Sequence, residues 1–340
     1  MTEPRIGRID AFQREHAILG FPIAVIYKYF DDQGPYLAAI ISYYAFIAIF
    51  PLLLISTSIL GFFLQDDPKL RDSLLDTALS QFPIIGDELG RPDGLSGSTS
   101  AIVIGSLAGL YGAMGLGQAT QNAANIAWSV PRNSRANPFL LRMRSIFFLA
   151  ASGFGILLIA VITTVFSNSD QIGGVASQFS FAIKIFGFLL SVLIFGGLFR
   201  LVSGGRGSWR SVLPGAATTA LLWQLLQVGG QTFVDQVIKK TSEMNGTFAL
   251  VLGLMAFIFL AAVMAVLGLE VNVVTARRLY PRALLTPFTD NVVLTNADQK
   301  AYAAYAKSQR HKGFQSVEVT FEERLPTVTD APSDKPPTGV

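Results

Sequence analysis

Gln224, Gln227, Gln231 and Asp235 recur at spacings of three and four, which places them along one face of a helix. A side-chain amide both donates and accepts hydrogen bonds, so such a row can pair with a polar group moving past it or with neighbouring helices. Three further sets carry polar chemistry in apolar surroundings. Ser42, Tyr43 and Tyr44 form one. Gln118, Gln121, Asn122 and Asn125 form the second, with 118, 122 and 125 on a common helical face. Glu270 and Asn272 form the third. Arg142, Arg144, Arg200 and Arg210 add guanidinium groups suited to carboxylates or lipid headgroups. This is the chemistry of hydrogen bonding and ion pairing rather than of bond breaking.

Catalytic chemistry lacks its usual parts. The chain has two histidines, His16 and His311, far apart in sequence, and no cysteine. Thiolate chemistry and disulfides are therefore excluded, and no clustered ligand set for a metal is visible. There is no phosphate-binding glycine loop followed by lysine, and no serine in a nucleophile elbow. The chain is expected not to be an enzyme and to need no cofactor.

The polar sets sit within six apolar stretches. No charged residue falls between Asp32 and Asp66, Asp93 and Arg132, Arg144 and Asp170, Lys184 and Arg200, Arg210 and Asp235, or Glu243 and Glu270. A helix rises ~1.5 Å per residue and the hydrocarbon core is ~30 Å thick, so about 20 such residues cross it. Of 340 residues, 51% are hydrophobic and only 14% charged, which is poor in charge for a soluble chain. The expected architecture is an all-α polytopic membrane protein. Its spans lie at about 36–64, 99–118, 145–166, 183–201, 211–234 and 247–275, within a transmembrane domain of 36–275. A row of three glutamines facing lipid is unfavourable, so the Gln224 face is expected to point inward, lining a path or bonding to other helices.

Pro51 falls in the middle of the first span, where a proline usually kinks a helix. Pro214 and Gly215 begin the fifth, as a first-turn proline or as a hinge. Gly105, Gly109, Gly112, Gly115 and Gly117 permit close approach to the second span, whose helix is expected to continue toward Trp128. Trp128 and Trp209 suit an interfacial aromatic belt.

Residues 1–35 read as a basic amphipathic helix on the inner membrane surface, interrupted by Pro22. Asp67 and Pro68 open a second amphipathic helix in the 66–97 loop, carried by Leu70, Leu74, Leu75 and Phe82. Residues 276–340 read as a polar tail, largely disordered.

Lysine and arginine are more than twice as frequent on the side holding Arg5, Arg8, Arg14, Arg132, Arg142, Arg200, Arg210 and Arg277 as on the side holding Lys69, Arg71 and Lys184. Both termini are therefore expected in the cytoplasm. That depth gathers Tyr43, Tyr44, Gln118, Asn122, Asn125, Glu270 and Asn272 with Arg200 and Arg210. Two arrangements stay open. One is a polar vestibule in which Glu270 pairs with an arginine. The other is interhelical bonding with Glu270 solvated.

Four motifs then carry a resemblance. They are Ala38 to Tyr44 leading into Phe50-Pro51-Leu52, Asn125-Ile126-Ala127-Trp128, Trp209 to Ala216, and Gly268-Leu269-Glu270-Val271-Asn272. In this order and spacing the chain resembles the YihY/BrkB-type membrane proteins, formerly labelled ribonuclease BN, over about Asp31 to Asn272. The resemblance implies six spans in a bacterial plasma (inner) membrane and work on lipids, other amphiphiles or the envelope. It departs at Asn245, where an aromatic residue is usual, and at Phe257-Ile258-Phe259, which replaces a Trp-Leu-Tyr segment.

The expected function is transport or flipping of a lipid or other amphiphile, with a membrane scaffold as the alternative. The expected partners are membrane lipids and further copies of the chain, not nucleic acid. The orientation has a direct test, because the chain has no cysteine of its own. A cysteine introduced at Ser96 should react with a membrane-impermeant reagent in intact cells, and one at Ser134 should not. Reversed labelling would invert the topology.

Overall fold

A computed structural model describes residues 7–63, 99–167, 176–236 and 243–322. The described residues are helical, with no strand. Two helices open the chain, α1 (Arg8–Glu15) and α2 (Ala17–Asp31). Six long ones follow: α3 (Gly34–Phe63), α4 (Thr99–Ala127), α5 (Pro138–Ser167), α6 (Ala176–Val202), α7 (Trp209–Gln236) and α8 (Glu243–Arg277). A short α9 (Asn296–Ser308) comes last. Each long helix overlaps one of the six expected spans, and α4 does run on to Ala127. Pro138–Ile159, Ile185–Val202 and Phe248–Arg277 are long and apolar enough to cross a membrane, and Gly34–Ile49 is a shorter apolar stretch. The amphipathic helix expected near Pro68 lies outside the described residues.

The long helices pack in sequence, α3 on α4 through to α7 on α8, and α8 returns to α3. The result is a closed ring of alternating direction. Tyr44 of α3 lies on Gly115 of α4, where an added Cβ would come within 2.2 Å of the ring. Gly117 meets Ser145 of α5 in the same way. Gly215 of α7 meets Gly268 and Asn272 of α8. These pairs bring the starts of α3, α5 and α7 and the ends of α4, α6 and α8 to one end of the bundle, here called the base. Small residues at the crossings let backbones approach closely.

Three expectations change. Residues 8–31 are not one surface helix. His16 separates α1 from α2, and α2 packs on α8, burying Ala24, Val25, Lys28 and Tyr29. Its mean composition is strongly apolar, so it joins the core rather than lying on it. Pro22 stands inside α2 and does not end it. Second, residues 276–322 fold against the base; the remainder of the expected tail, 323–340, lies outside the described residues. Arg282 is wholly buried, bonded to Asp298, with Nη2 donating to Asp31 at 3.0 Å. Thr295 and Asp298 cap α9 reciprocally. Gln13 Nε2 donates to the Arg282 carbonyl at 2.6 Å, and the Leu284 N–H donates to Asp10 at 3.2 Å. Residues 8–31 and the described residues after α8 thus form one plate beneath the ring. Third, Trp128 is buried rather than at an interface, with the Arg277 guanidinium over its ring at 5.9 Å.

Candidate functional site

Apolar α2 carries one lysine, and helical geometry turns it toward the ring. Lys28 retains only 3% exposure and Glu270, near the end of α8, retains none. Lys28 Nζ stands 3.6 Å from Glu270 Oε2, pairs with Asp32 one turn on, and donates to the Ala127 carbonyl at the end of α4 at 3.1 Å. A single ammonium group thus joins α2, α4, α8 and the turn into α3. Gln33 makes that turn with φ 58°. Arg277, about two turns beyond Glu270, donates to the Trp128 carbonyl. The site therefore holds two carboxylates, one ammonium and a nearby guanidinium.

The magnitudes show what this arrangement does. Two unit charges 3.6 Å apart attract by about 4 to 5 kcal/mol at an effective dielectric near 20. Burying each ion costs several kcal/mol, so the net gain is small. The set fixes geometry more than it adds stability. Burial lowers the Lys28 ammonium, but Glu270 and Asp32 outweigh it and hold the group above its ordinary value. Burial raises the Asp32 carboxyl despite the pull of Lys28. Neither Glu270 oxygen, nor Asp32 Oδ1, has a hydrogen-bond donor.

A second crossing lies close by. Pro214 sits inside α7, not in its first turn. The Gly215 N–H donates to Asn272 Oδ1 at 2.8 Å. A Cβ at Gly215 would stand 2.0 Å from the Gly268 carbonyl oxygen. The proline, the glycine and Asn272 therefore form one contact between α7 and α8.

The expected site residues divide. Glu270 and Asn272 are both buried, so Glu270 is not solvated, and its partner is Lys28 rather than an arginine. Arg200 lies over the Trp209 ring at 5.2 Å, and Arg210 is exposed at the start of α7. Neither pairs with Glu270, because α2 occupies the space beside it. Asn125 is buried, Gln118 is exposed, and exposed Asn122 accepts from Arg135 at 3.2 Å. The interhelical amide is Gln121, whose Nε2 donates to Ser145 Oγ and to the Leu141 carbonyl, both at 2.9 Å. Tyr43 is exposed, and Tyr44 packs beside Tyr111 with ring centres 6.2 Å apart. Pro51 lies within α3, which continues through it to Phe63.

The glutamine row does not point inward. Gln224 and Gln231 are exposed beside Leu221, Leu225 and Val228, and Gln227 is half-buried. The buried stripe of α7 is Val212, Gly215, Ala216, Thr219, Ala220, Leu226 and Gly230. Small residues admit α8 there, and the glutamines lie roughly 100° round the helix. Arg142 is exposed, whereas Arg144 and Arg200 line a common surface pocket. Among the described residues no three His, Asp or Glu side chains converge as metal ligands.

A ring of long apolar helices with charge buried at one end defines an integral membrane protein. The profile of the family described as Virulence factor BrkB matches residues 25–290, and the chain belongs to that family of multi-pass membrane proteins. It is 24% identical over 273 residues to a protein of Bacillus subtilis named as ribonuclease-like, YfkH, covering 74% of this chain and 93% of that one. It is 22% identical over 275 residues to the UPF0761 membrane protein PSHAa0171 of Pseudoalteromonas translucida, covering 78% and 88%. No solved structure matches the chain.

Removing Lys28 leaves two buried carboxylates facing each other. Lys28→Met should destabilise the protein in detergent by about 3–5 kcal/mol, and adding Glu270→Gln should recover part of that loss. An acid raised by burial contributes stability below its ordinary range and loses it as pH rises through the raised value. The wild-type melting temperature should therefore gain as pH falls through the raised Asp32 value, with Asp32→Asn removing that gain. An unchanged melting temperature in Lys28→Met would show that the lysine is solvated.

Proposed function

We propose that this protein moves a lipid or similar amphiphile across a bacterial inner membrane, with all six long helices as spans and both termini in the cytoplasm. The observation that supports this best is the buried Lys28–Asp32–Glu270 set at the base of the ring. Ionisable groups within a membrane protein are costly and mark pathways more often than packing. Here they gain little net stability, yet they hold α2 and the terminal plate against three ring helices. Exchange of Lys28 between Asp32 and Glu270, with proton uptake on the carboxylate left behind, would loosen α2 and open the base. The sequence has no nucleotide-binding loop, so the movement runs on a gradient. Membrane lipids are the proposed partners. No catalysis and no nucleic acid are involved.

A scaffold reading has one observation in its favour. The plate formed by 276–322 leaves Phe288 and Phe314 exposed, where a partner could dock.

The two readings separate in reconstituted vesicles. The wild-type chain should speed the crossing of labelled phospholipid analogues under an imposed proton gradient. Glu270→Gln should remove the gradient dependence in protein that remains folded. If the wild-type chain moves no amphiphile under any gradient, the scaffold reading replaces transport.

A further inference from the structure

Charge is distributed unevenly around the base. On one side Arg14, Lys28 and Arg282 each face a carboxylate. On the other side no acidic residue occurs between Asp93 and Asp170, or between Asp170 and Asp235. Those stretches supply Arg132, Arg135, Arg142, Arg144, Arg200, Arg206 and Arg210, and among the described residues the ion pairs run through Arg14, Lys28 and Arg282 instead.

Part of this unneutralised surface is shaped. Arg144 near the start of α5, Arg200 and Leu201 near the end of α6, Gly204 and Gly205 in the following turn, and Trp209 opening α7 line an open pocket of about 350 Å³. Gly204 and Gly205 have φ 65° and 76°, which curls the turn around the pocket floor. The Arg144 guanidinium rests on Gly204, its Nη1 2.7 Å from where a Cβ would stand. Trp209 holds Arg200 by its ring face at 5.2 Å. Arg206 braces the turn, its Nη1 donating to the Ser203 carbonyl at 3.0 Å. Burial and then the charge of Arg144 lower the Arg206 guanidinium, a sign of crowded cations.

Next to the pocket the surface is apolar. Leu140, Met143 and Phe147 share the Arg144 face of α5 and are exposed. Guanidinium forks match phosphate oxygens, and an apolar strip beside them matches acyl chains. We infer that this pocket binds the phosphate of an anionic phospholipid whose acyl chains lie along Leu140, Met143 and Phe147. The phosphate accepts from Arg144 and Arg200, and the Gly204–Gly205 turn lets it approach closely. This deepens the proposed transport by naming its substrate class. Binding is read at equilibrium, so a failure of binding and a failure of movement are separate results.

The test uses the full chain in detergent, with native mass spectrometry and thermal shift against phosphatidylglycerol, phosphatidylcholine, inorganic phosphate and glycerol 3-phosphate. Phosphatidylglycerol should bind and raise the melting temperature, and the other three should bind far more weakly. Arg144→Gln/Arg200→Gln should weaken phosphatidylglycerol binding by about tenfold or more, and Arg142→Gln, outside the pocket, by no more than about twofold. Should the double glutamine variant fail to fold, Arg144→Lys/Arg200→Lys keeps the charge, removes the forks and should still weaken binding several-fold. Unchanged binding in whichever double variant folds overturns the inference. Inorganic phosphate binding as tightly as the lipid would make this a site for soluble phosphate, and equal phosphatidylcholine binding would remove the charge requirement; either overturns it.

Discussion

The structure depends on where one ammonium group sits. Lys28 is buried among the ends of α4 and α8 and the turn into α3, facing Asp32 and Glu270. A buried lysine must be matched by charge or give up its proton. Matching it fixes the position of α2 against the ring. Fixing α2 places Tyr27, Asp31, Asp10 and Gln13 where residues 282–284 meet them. The ordered plate beneath the ring follows from that constraint.

The ring itself is held differently. Its crossings use glycine, alanine, serine and threonine in place of large side chains, and single amides bridge them. Asn272 accepts from the Gly215 N–H beside Pro214, and Gln121 reaches across to Ser145. Both arrangements satisfy polar groups inside an apolar bundle, where leaving one unpaired costs about 1–3 kcal/mol or more. The base is therefore tied at several points, while the arginine pocket at the edge of α5, α6 and α7 stays open.

Much of this was legible in the sequence. The six charge-free runs locate the long helices, because charge is what a bilayer excludes most strongly. The glycines of α4 were also readable, and so was the grouping of Glu270 with Asn272, but not whether Glu270 is buried or solvated. The direction of the α7 glutamines was not, because spacing shows that residues share a face but not which face packs. A signal existed in Gly215, Thr219, Ala216 and Ala220, small residues one turn apart. Lys28 falls within residues 1–35, which read as a basic amphipathic helix on the membrane surface. Yet between Ala17 and Phe30 it is the sole charge in an apolar run, and that isolation hinted at burial. The plate was missed because polar composition suggested disorder. Thr295 followed three residues later by Asp298 was a readable helix start, but the closure of Arg282 on Asp31 is a contact across 251 positions that no local pattern encodes.

Amide hydrogen exchange on the full chain in lipid nanodiscs tests the central claim most directly. If Lys28 locks α2 into the base, the amides of residues 24–29 should exchange as slowly as those of residues 262–274 in α8. Exchange in 24–29 at the rate of an exposed peptide, with α8 still protected, would show that α2 rides on the surface and that the buried ion set does not organise the fold.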